Sequence, residues 1–214
     1  MTTLPYEAAN YDLTPRCTTL VLIDLQNDFL HAKGWYAKSG VDISHMRRVI
    51  DPTAALIQQA REAGVPIVWT RHGFRSETMG SFATMRPFLR DGGLRQGTWG
   101  YQVYEQFTVK SQDWMSHKSR LSAFFQTDLE VILRGLNTET LLIGGVLTNQ
   151  CVAATSKDAS FRDFKTIVVA ECTGTTLPHL HEPALEMMKV GWAQVQSIDD
   201  TIAAVSGLRA ATTA

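Results

Sequence analysis

The sequence predicts a three-layer α/β sandwich whose central, mostly parallel sheet is doubly wound. Strand-length apolar runs alternate along the chain with stretches in which apolar residues recur every three or four positions. The runs lack the in-and-out alternation of a sheet with one solvated face, which indicates strands covered by helices on both sides. For a chain of 214 residues, we expect one domain over residues 1–214.

The strand and helix patterns can be placed along the chain. The strongest strand runs occupy residues 19–24, 65–70, 140–144 and 166–170, and weaker runs lie at 114–116 and 194–197. Helical spacing occupies residues 52–63, 127–134 and 180–190, and each of these stretches precedes a glycine. Glycine commonly ends a helix, so these boundaries support the prediction.

Residues 71–108 form a long segment of a different kind. The segment is rich in glycine, arginine and aromatic residues and has little periodicity. Long irregular connections in compact domains are usually functional. The sequence therefore predicts either a lid or an interface arm here.

Composition limits the possible partners and the compartment. The formal net charge is −1, and no long run of one sign occurs, which disfavours nucleic acid and anionic membranes as partners. Residues 1–16 lack an apolar signal core, and the longest apolar runs are too short to span a membrane. Three cysteines (Cys17, Cys151 and Cys172) form no CxxC pair. An odd, unpaired count fits a reducing compartment, so we expect a cytoplasmic protein.

The most informative stretch is residues 144–151, with the sequence GGVLTNQC. A buried strand breaks here into a glycine-marked turn, and Cys151 begins the next helical pattern. The unpaired amides and positive dipole of a helix start favour a thiolate, so we expect the Cys151 pKa to fall toward physiological pH. Thr148 and Asn149 are candidate caps for that helix. The alternative is a buried structural cysteine.

Polar residues follow the other predicted strands. Asp24 ends the first run, His72 follows the second, and Lys118 follows the weak third one. The carboxyl ends of parallel strands meet at one edge of a sheet, so these side chains should converge with Cys151. A carboxylate to take the thiol proton and an ammonium to hold the developing charge would make the thiol a nucleophile.

Three motifs in order resemble those of a known family. They are VLIDLQNDF at residues 21–29, KSRLSAF at 118–124 and GGVLTNQC at 144–151. Together they make the chain similar to the isochorismatase-like cysteine hydrolases, over residues 14–205. The resemblance implies the isochorismatase-like, Rossmann-like form of the α/β sandwich.

The resemblance also implies the roles of particular residues. Asp24, Lys118 and Cys151 would form a catalytic triad in which Cys151 attacks a carbonyl to give a covalent thioester. A cis peptide between Val146 and Leu147 would turn the amides of Leu147 and Cys151 into an oxyanion hole. We also expect a homo-oligomer, either a dimer or a tetramer.

Two differences between this chain and branches of the family limit the reactions that we expect it to catalyse. Members that open the vinyl ether of isochorismate lack the cysteine that this chain carries. Nicotinamidases carry an Asp-x-His pattern and a second histidine for a metal, whereas residues 69–74 read WTRHGF with one histidine. We therefore predict no catalytic metal and no cofactor.

The substrate expectation comes from the same resemblance. Residues 97–103 and 118–127 look closest to the ureidoacrylate amidohydrolase branch, and biuret and N-carbamoyl amino acid amidohydrolases are similar. We therefore expect a metal-free hydrolase of the C–N bond in a small amide or ureido compound, releasing ammonia. Leu121 stands where the ureidoacrylate branch carries a tyrosine, which leaves the exact substrate open.

Six residues are candidates for substrate binding. They are Gln26, Phe29, His72, Trp99, Arg120 and Asn149. The fork of Arg120 suits a substrate carboxylate. Each has a structural alternative: the aromatic residues as core or interface, the arginine in a surface ion pair, and the two amides as backbone braces.

Three other functions remain open. One is a nicotinamidase-like amidase acting on another small amide. The second is a non-catalytic, oligomeric binding partner on the same fold, which intact Asp24, Lys118 and Cys151 disfavour. The third is a redox-active thiol protein, for which Cys172 is the available resolving cysteine.

Overall fold

The fold is built around one sheet of six strands. The computed structural model describes residues 9–14, 16–75 and 78–212, with side chains described as far as Leu208. The strands are β1 (Thr18–Ile23), β2 (Ile67–His72), β3 (Trp114–Lys118), β4 (Thr140–Val146), β5 (Lys165–Gly174) and β6 (Gln194–Gln196). Their order is β3-β2-β1-β4-β5-β6, and every pairing is parallel. The prediction of a doubly wound, mostly parallel sheet is confirmed.

Alternate residues of β1 serve the two faces of the sheet. Leu20 and Leu22 pack in one apolar cluster with residues of the helices α4 (Ile50–Glu62) and α9 (Ile198–Thr212). Val21 and Ile23 pack in the other cluster. Its helices are α6 (Leu129–Gly135), α7 (Ala153–Ser160) and α8 (His181–Gly191). Because successive side chains of a strand point to opposite faces, these two clusters define the three layers.

Helix α9 was not predicted from the sequence. Its buried residues Thr201, Val205 and Leu208 follow one another at four- and three-residue steps, which is helical spacing. The signal was therefore present but mixed with alanine, threonine and glycine, which contribute little apolar contrast. Among the described residues, no helix has the length and apolar character needed to cross a membrane.

Short helical turns lie between the main elements. They are α1 (Asn27–Leu30), α2 (Trp35–Lys38), α3 (Ser44–Arg47) and α5 (Phe82–Met85), and two 3₁₀ turns occupy Pro87–Leu89 and Pro178–Leu180. Each is a single turn, too short for a periodic apolar pattern. The sequence therefore gave no basis for predicting them.

The described part of the segment 71–108 lies against the carboxyl edge of the sheet. Asp28 ties it there: its Oδ2 accepts from the amide of Leu94 at 2.6 Å, and its Oδ1 accepts from the amide of Trp35 at 3.0 Å. A side chain at Gly100 would collide with the same carboxylate, since an added Cβ would lie 2.1 Å from Oδ1. Asp28 therefore holds one part of the segment against α1 and α2.

Candidate active site

Asp24 is held at the carboxyl end of β1 by a neighbouring strand. Its φ of 53° turns the chain out of the sheet. Its Oδ1 accepts from the hydroxyl of Thr70 at 2.6 Å, and its own amide donates to that hydroxyl oxygen at 3.1 Å. Thr70 is not among the predicted site residues, although it is a polar residue at the end of a buried run, the same signal that indicates Asp24. The two bonds fix the orientation of the carboxylate.

Lys118 is the last residue of β3 and joins Asp24 to the thiol. Its Nζ lies 2.7 Å from Oδ2 of Asp24 and donates to Sγ of Cys151 at 3.2 Å. It also donates to the carbonyls of Arg120 and Leu121, at 3.0 and 3.1 Å. Burial is the largest single effect and lowers the pKa of Lys118, but the charges and hydrogen bonds of Asp24 and Cys151 together outweigh it, and the net direction is upward. The ammonium is therefore retained although it is buried.

Cys151 does not occupy the first turn of an α-helix as expected. It lies within a π turn at Thr148–Val152, and α7 begins only at Ala153. The expected fall in its pKa is also wrong: burial raises the pKa of the thiol to about 12, and the opposing effect of Lys118 is smaller. Since burial penalises the charged form, the thiol keeps its proton at neutral pH until a base removes it.

The turn before Cys151 is fixed by its backbone. Gly145 has a φ of 128°, and an added Cβ would lie 2.1 Å from the carbonyl oxygen of Ile23. The peptide bond between Val146 and Leu147 is cis, as the resemblance implies. The amides of Gln150 and Val152 both donate to the Leu147 carbonyl, at 3.0 and 3.1 Å. The amides of Leu147 and Cys151 therefore belong to one compact turn around the thiol.

The predicted caps Thr148 and Asn149 are engaged elsewhere. The Thr148 hydroxyl lies 3.0 Å from Nδ1 of His181. Oδ1 of Asn149 accepts from the hydroxyl of Thr175 at 2.7 Å. Neither side chain caps the turn. They instead join the turn at Thr148–Val152 to neighbouring parts of the chain, and Asn149 has a structural contact in place of a substrate contact.

His72 adds an imidazole to the three groups. Its Nδ1 lies 3.8 Å from Sγ of Cys151 and 3.9 Å from Oδ2 of Asp24. The ring packs edge-to-face against Phe74 and Phe82. Burial, followed by the charge of Lys118, holds the His72 pKa well below its usual value. The imidazole is therefore neutral at the site.

A narrow cavity leads to Cys151. It is lined by Phe29, Tyr36, His72, Phe82, Arg86, Leu89, Leu94, Leu121, Leu147, Gln150 and Cys151. Its volume is about 10 Å³, about what one water molecule needs. Several of these residues come from the segment 71–108, so that segment forms one wall. Because any amide is larger than water, this wall must shift before a substrate can enter.

The structure brings some predicted binding residues to the cavity and not others. Phe29 and His72 line it. The Gln26 side chain is a brace, since its Nε2 donates to the carbonyls of His72 and Tyr101 and its Oε1 accepts from the His72 amide. Trp99 is 47% exposed, and its ring packs edge-to-face on His31. Its ring is therefore a surface contact and does not face the nucleophile.

Arg120 is the remaining predicted binding residue. It is half-buried, and its guanidinium donates to the carbonyl of Ser119 at 2.8 Å. It is absent from the described lining of the cavity. Its charge nevertheless reaches the site, since it contributes, after burial, Lys118 and Arg86, to lowering the pKa of His72. The expected grip of Arg120 on a substrate carboxylate stays a prediction.

Three side chains at the site could in principle ligate a metal. The ligand atoms of Asp24, His72 and Cys151 all lie within 4.8 Å of one another. The Lys118 ammonium, however, is 2.7 Å from the carboxylate and 3.2 Å from the sulfur. A divalent cation on these atoms would stand beside a buried positive charge, which Coulomb repulsion opposes.

Chelator treatment should therefore leave the rate unchanged. We expect the same ammonia release before and after dialysis against EDTA, because Lys118 already supplies the positive charge that a metal would bring. The measurement is the steady-state rate of the dialysed protein with and without added Zn²⁺ or Mn²⁺. Loss of activity on dialysis and its recovery with either ion would contradict the prediction.

The sequence of this chain is similar to those of known hydrolases. The family model for the isochorismatase domain matches residues 18–200. The ureidoacrylate amidohydrolase RutB of Klebsiella pneumoniae subsp. pneumoniae is 30% identical over 199 residues, which cover 86% of this chain and 84% of that protein.

Solved structures show the same fold. A cysteine hydrolase from Pseudomonas syringae pv. phaseolicola superposes with a TM-score of 0.87 at 21% identity, covering 96% of this chain and all of that one. The nicotinamidase PncA from Bacillus subtilis superposes with a TM-score of 0.69 at 26% identity, covering 84% of this chain and 98% of that one.

Proposed function

Since this chain belongs to the isochorismatase family, we propose that it is a cysteine amidohydrolase acting on a small amide or ureido compound. The observation that carries the proposal is the continuous contact from Asp24 through Lys118 to the Cys151 sulfur, at 2.7 and 3.2 Å. Burying a carboxylate and an ammonium beside a thiol costs desolvation free energy. Such clusters therefore occur preferentially at functional sites. RutB, similar over most of its length, is named for hydrolysing a ureide.

The first half-reaction makes a thioester. Asp24 takes the proton of Cys151 as the sulfur attacks the carbonyl carbon, which is why a thiol with a raised pKa can still react. The carbonyl oxygen becomes negative and is bound by the amides of Leu147 and Cys151. The C–N bond then breaks, and the leaving nitrogen takes the proton held by Asp24. The acyl or carbamoyl group remains on sulfur.

The second half-reaction restores the thiol. Asp24 removes a proton from a water molecule that attacks the thioester carbonyl, and the proton returns to sulfur as the C–S bond breaks. A simple amide yields ammonia in the first half and a carboxylic acid in the second. A carbamoyl group leaves as carbamate, which decomposes to ammonia and carbon dioxide. Lys118 remains protonated throughout and stabilises the negative charge that moves between Asp24 and the sulfur.

Ammonia release from a panel of amides and ureides tests this function. The panel should include monosubstituted ureas, N-carbamoyl amino acids, biuret and simple carboxamides. Rapid acid quenching and mass spectrometry of the peptide that contains Cys151 should find an added acyl or carbamoyl group whose mass identifies the substrate half retained. Turnover with no adduct in the wild type or in slowed variants would contradict covalent catalysis, and no turnover of any member would contradict the function.

A second amidase function has one observation in its favour. Phe29, Tyr36 and Phe82 give the cavity aromatic walls, which suit a planar aromatic amide. Nicotinamide therefore belongs in the panel. Exclusive turnover of nicotinamide would replace the ureide by an aromatic amide as the substrate, with the same three catalytic groups.

Several expectations from the sequence remain predictions. They are the assembly into a dimer or tetramer, the cytoplasmic location and the lack of a nucleic acid partner. Light scattering of the purified protein measures the first of them directly.

A further inference from the structure

The wall of the cavity contains a cation with no assigned role. Among the described residues that line the cavity, Arg86 is the single one with a formal charge, because burial and neighbouring cations keep His72 neutral. No carboxylate belongs to that described lining, and the rest is mostly aromatic and aliphatic. Asp24 and Lys118 do not belong to that lining either. The cavity therefore presents an approaching substrate with one positive group.

Arg86 is fixed relative to the nucleophile. It lies between α5 and the following 3₁₀ turn. Its guanidinium stacks over the Phe82 ring, 5.0 Å from the centroid, and donates to Oε1 of Gln150 at 2.6 Å. Gln150 immediately precedes Cys151 in the π turn. The arginine is therefore bonded to the turn that carries the reacting sulfur, on the wall that covers it.

The charge of Arg86 has no balancing carboxylate in the described part of the chain. None of the ion pairs formed by residues 9–14, 16–75 and 78–208 includes it. A guanidinium has five N–H donors in a planar fork, and Gln150 is a neutral acceptor that takes one of them. A half-buried cation is stabilised when an anion meets it with bidentate geometry.

Tyr36 provides a second donor in the same cavity. It lies in α2 and lines the cavity with Arg86. Burial raises the pKa of the Tyr36 phenol, and the charge of Arg86 partly opposes the rise. The phenol is therefore a neutral O–H donor at any ordinary pH and does not compete with a ligand for the positive charge.

We propose that Arg86 selects substrates by charge: it binds a carboxylate at the end of the substrate remote from the scissile carbonyl, and the Tyr36 hydroxyl assists. The inference deepens the proposed function and rests on it. It assigns anion recognition to Arg86, on the wall that covers the thiol, and not to Arg120, whose guanidinium is bonded to the Ser119 carbonyl. The substrate class is accordingly an ω-carboxylated amide or ureide.

Binding to a variant that cannot turn over substrate isolates this recognition. On a Cys151→Ala background, titration calorimetry would compare ureido acids having one, two or three methylene groups with ureas in which an isopropyl group replaces the carboxylate. 3-Ureidopropionate and 3-methylbutylurea form one such pair. We expect at least one acid to bind about tenfold or more tightly than its neutral partner, as a charge-assisted pair would give.

Substitution of Arg86 then tests the assignment. Arg86→Gln should weaken binding of the acid by about ten- to a hundredfold and leave the neutral urea nearly unchanged. Arg86→Lys should bind the acid with an affinity between those of Arg86 and Arg86→Gln, because lysine keeps the charge and lacks the planar fork of donors. Arg90→Gln is the matched control: it is the same substitution on the same segment at an exposed residue, and it should retain the preference.

Three results would overturn the proposal. They are equal or weaker binding of every acid relative to its neutral partner, an equal loss for acid and urea in Arg86→Gln, and no detectable binding of any acid. Each is read as binding without turnover, so it concerns recognition of the carboxylate and not catalysis. Failure of the proposed function would appear instead as wild-type protein that releases no ammonia from any amide.

Discussion

Cys151→Ser should lose essentially all turnover, by about a thousandfold or more, because it removes the nucleophile of the reaction. The serine oxygen keeps a proton more firmly than the thiol, and the buried position already opposes the charged form of the thiol, raising its pKa to about 12. Asp24 would then have to deprotonate a much weaker acid. The measurement is ammonia release over hours at high protein concentration, together with a search for an ester on residue 151.

Cys17→Ser provides the matched control. Cys17 is a half-buried free cysteine immediately before β1, at the opposite edge of the sheet from the site. Its serine variant should retain the wild-type rate, and all variants should have similar thermal melting curves. A Cys151→Ser variant that kept a substantial fraction of the wild-type rate would exclude the thiolate mechanism.

Asp24→Asn and Lys118→Met should each reduce kcat by about a hundred- to ten-thousandfold, the range for loss of general acid–base catalysis. Asparagine cannot take the thiol proton or return it to the leaving nitrogen. Methionine keeps the length of the lysine stem but leaves the fully buried Asp24 without the ammonium now 2.7 Å away. An uncompensated buried charge is strongly unfavourable, so we expect the carboxylate to lose its proper position.

The double variant distinguishes a coupled pair from two independent groups. If Asp24 and Lys118 act as one unit, the double variant should be little slower than the slower single one. Losses that multiply would mean that the groups act separately, and the triad would have to be reassigned. Lys165→Met is the control for removal of a lysine charge, since Lys165 is exposed and pairs with Glu139 only at 3.7 Å.

Much of the catalytic arrangement could be predicted because parallel sheets place strand ends together. His72 and Lys118 each end a strand, and Asp24 and Cys151 each follow one, so topology alone brings the four residues to one edge. The apolar runs were long enough to identify the strands, and the weak run at 114–116 proved to be the strand that carries Lys118. The positions of these residues follow from where the strands end, which the sequence pattern indicates.

Other features depend on contacts that no local pattern encodes. Arg86 is one of several arginines in a segment without periodicity, and its place on the cavity wall follows from how that segment folds back. The pKa of Cys151 departs from the expectation because the residue lies in a π turn and not at a helix start, and because burial and the Asp24 carboxylate together outweigh the opposing effect of Lys118. Trp99 has the large aromatic side chain that is typical of a binding residue, but its ring lies at the surface.

The two aspartates of the LIDLQND motif have different tasks, and a mutational scan scored on activity would not tell them apart. In the proposed mechanism Asp24 takes and returns the proton, whereas both oxygens of Asp28 accept from backbone amides that join the covering segment to α1 and α2. Substitutions at either position would lower activity, at Asp24 through loss of proton transfer and at Asp28 through loss of backbone contacts. Abundance separates the two positions: Asp24→Asn, which keeps the size of the side chain and one acceptor oxygen, should accumulate as inactive folded protein, and Asp28 variants should be depleted by misfolding.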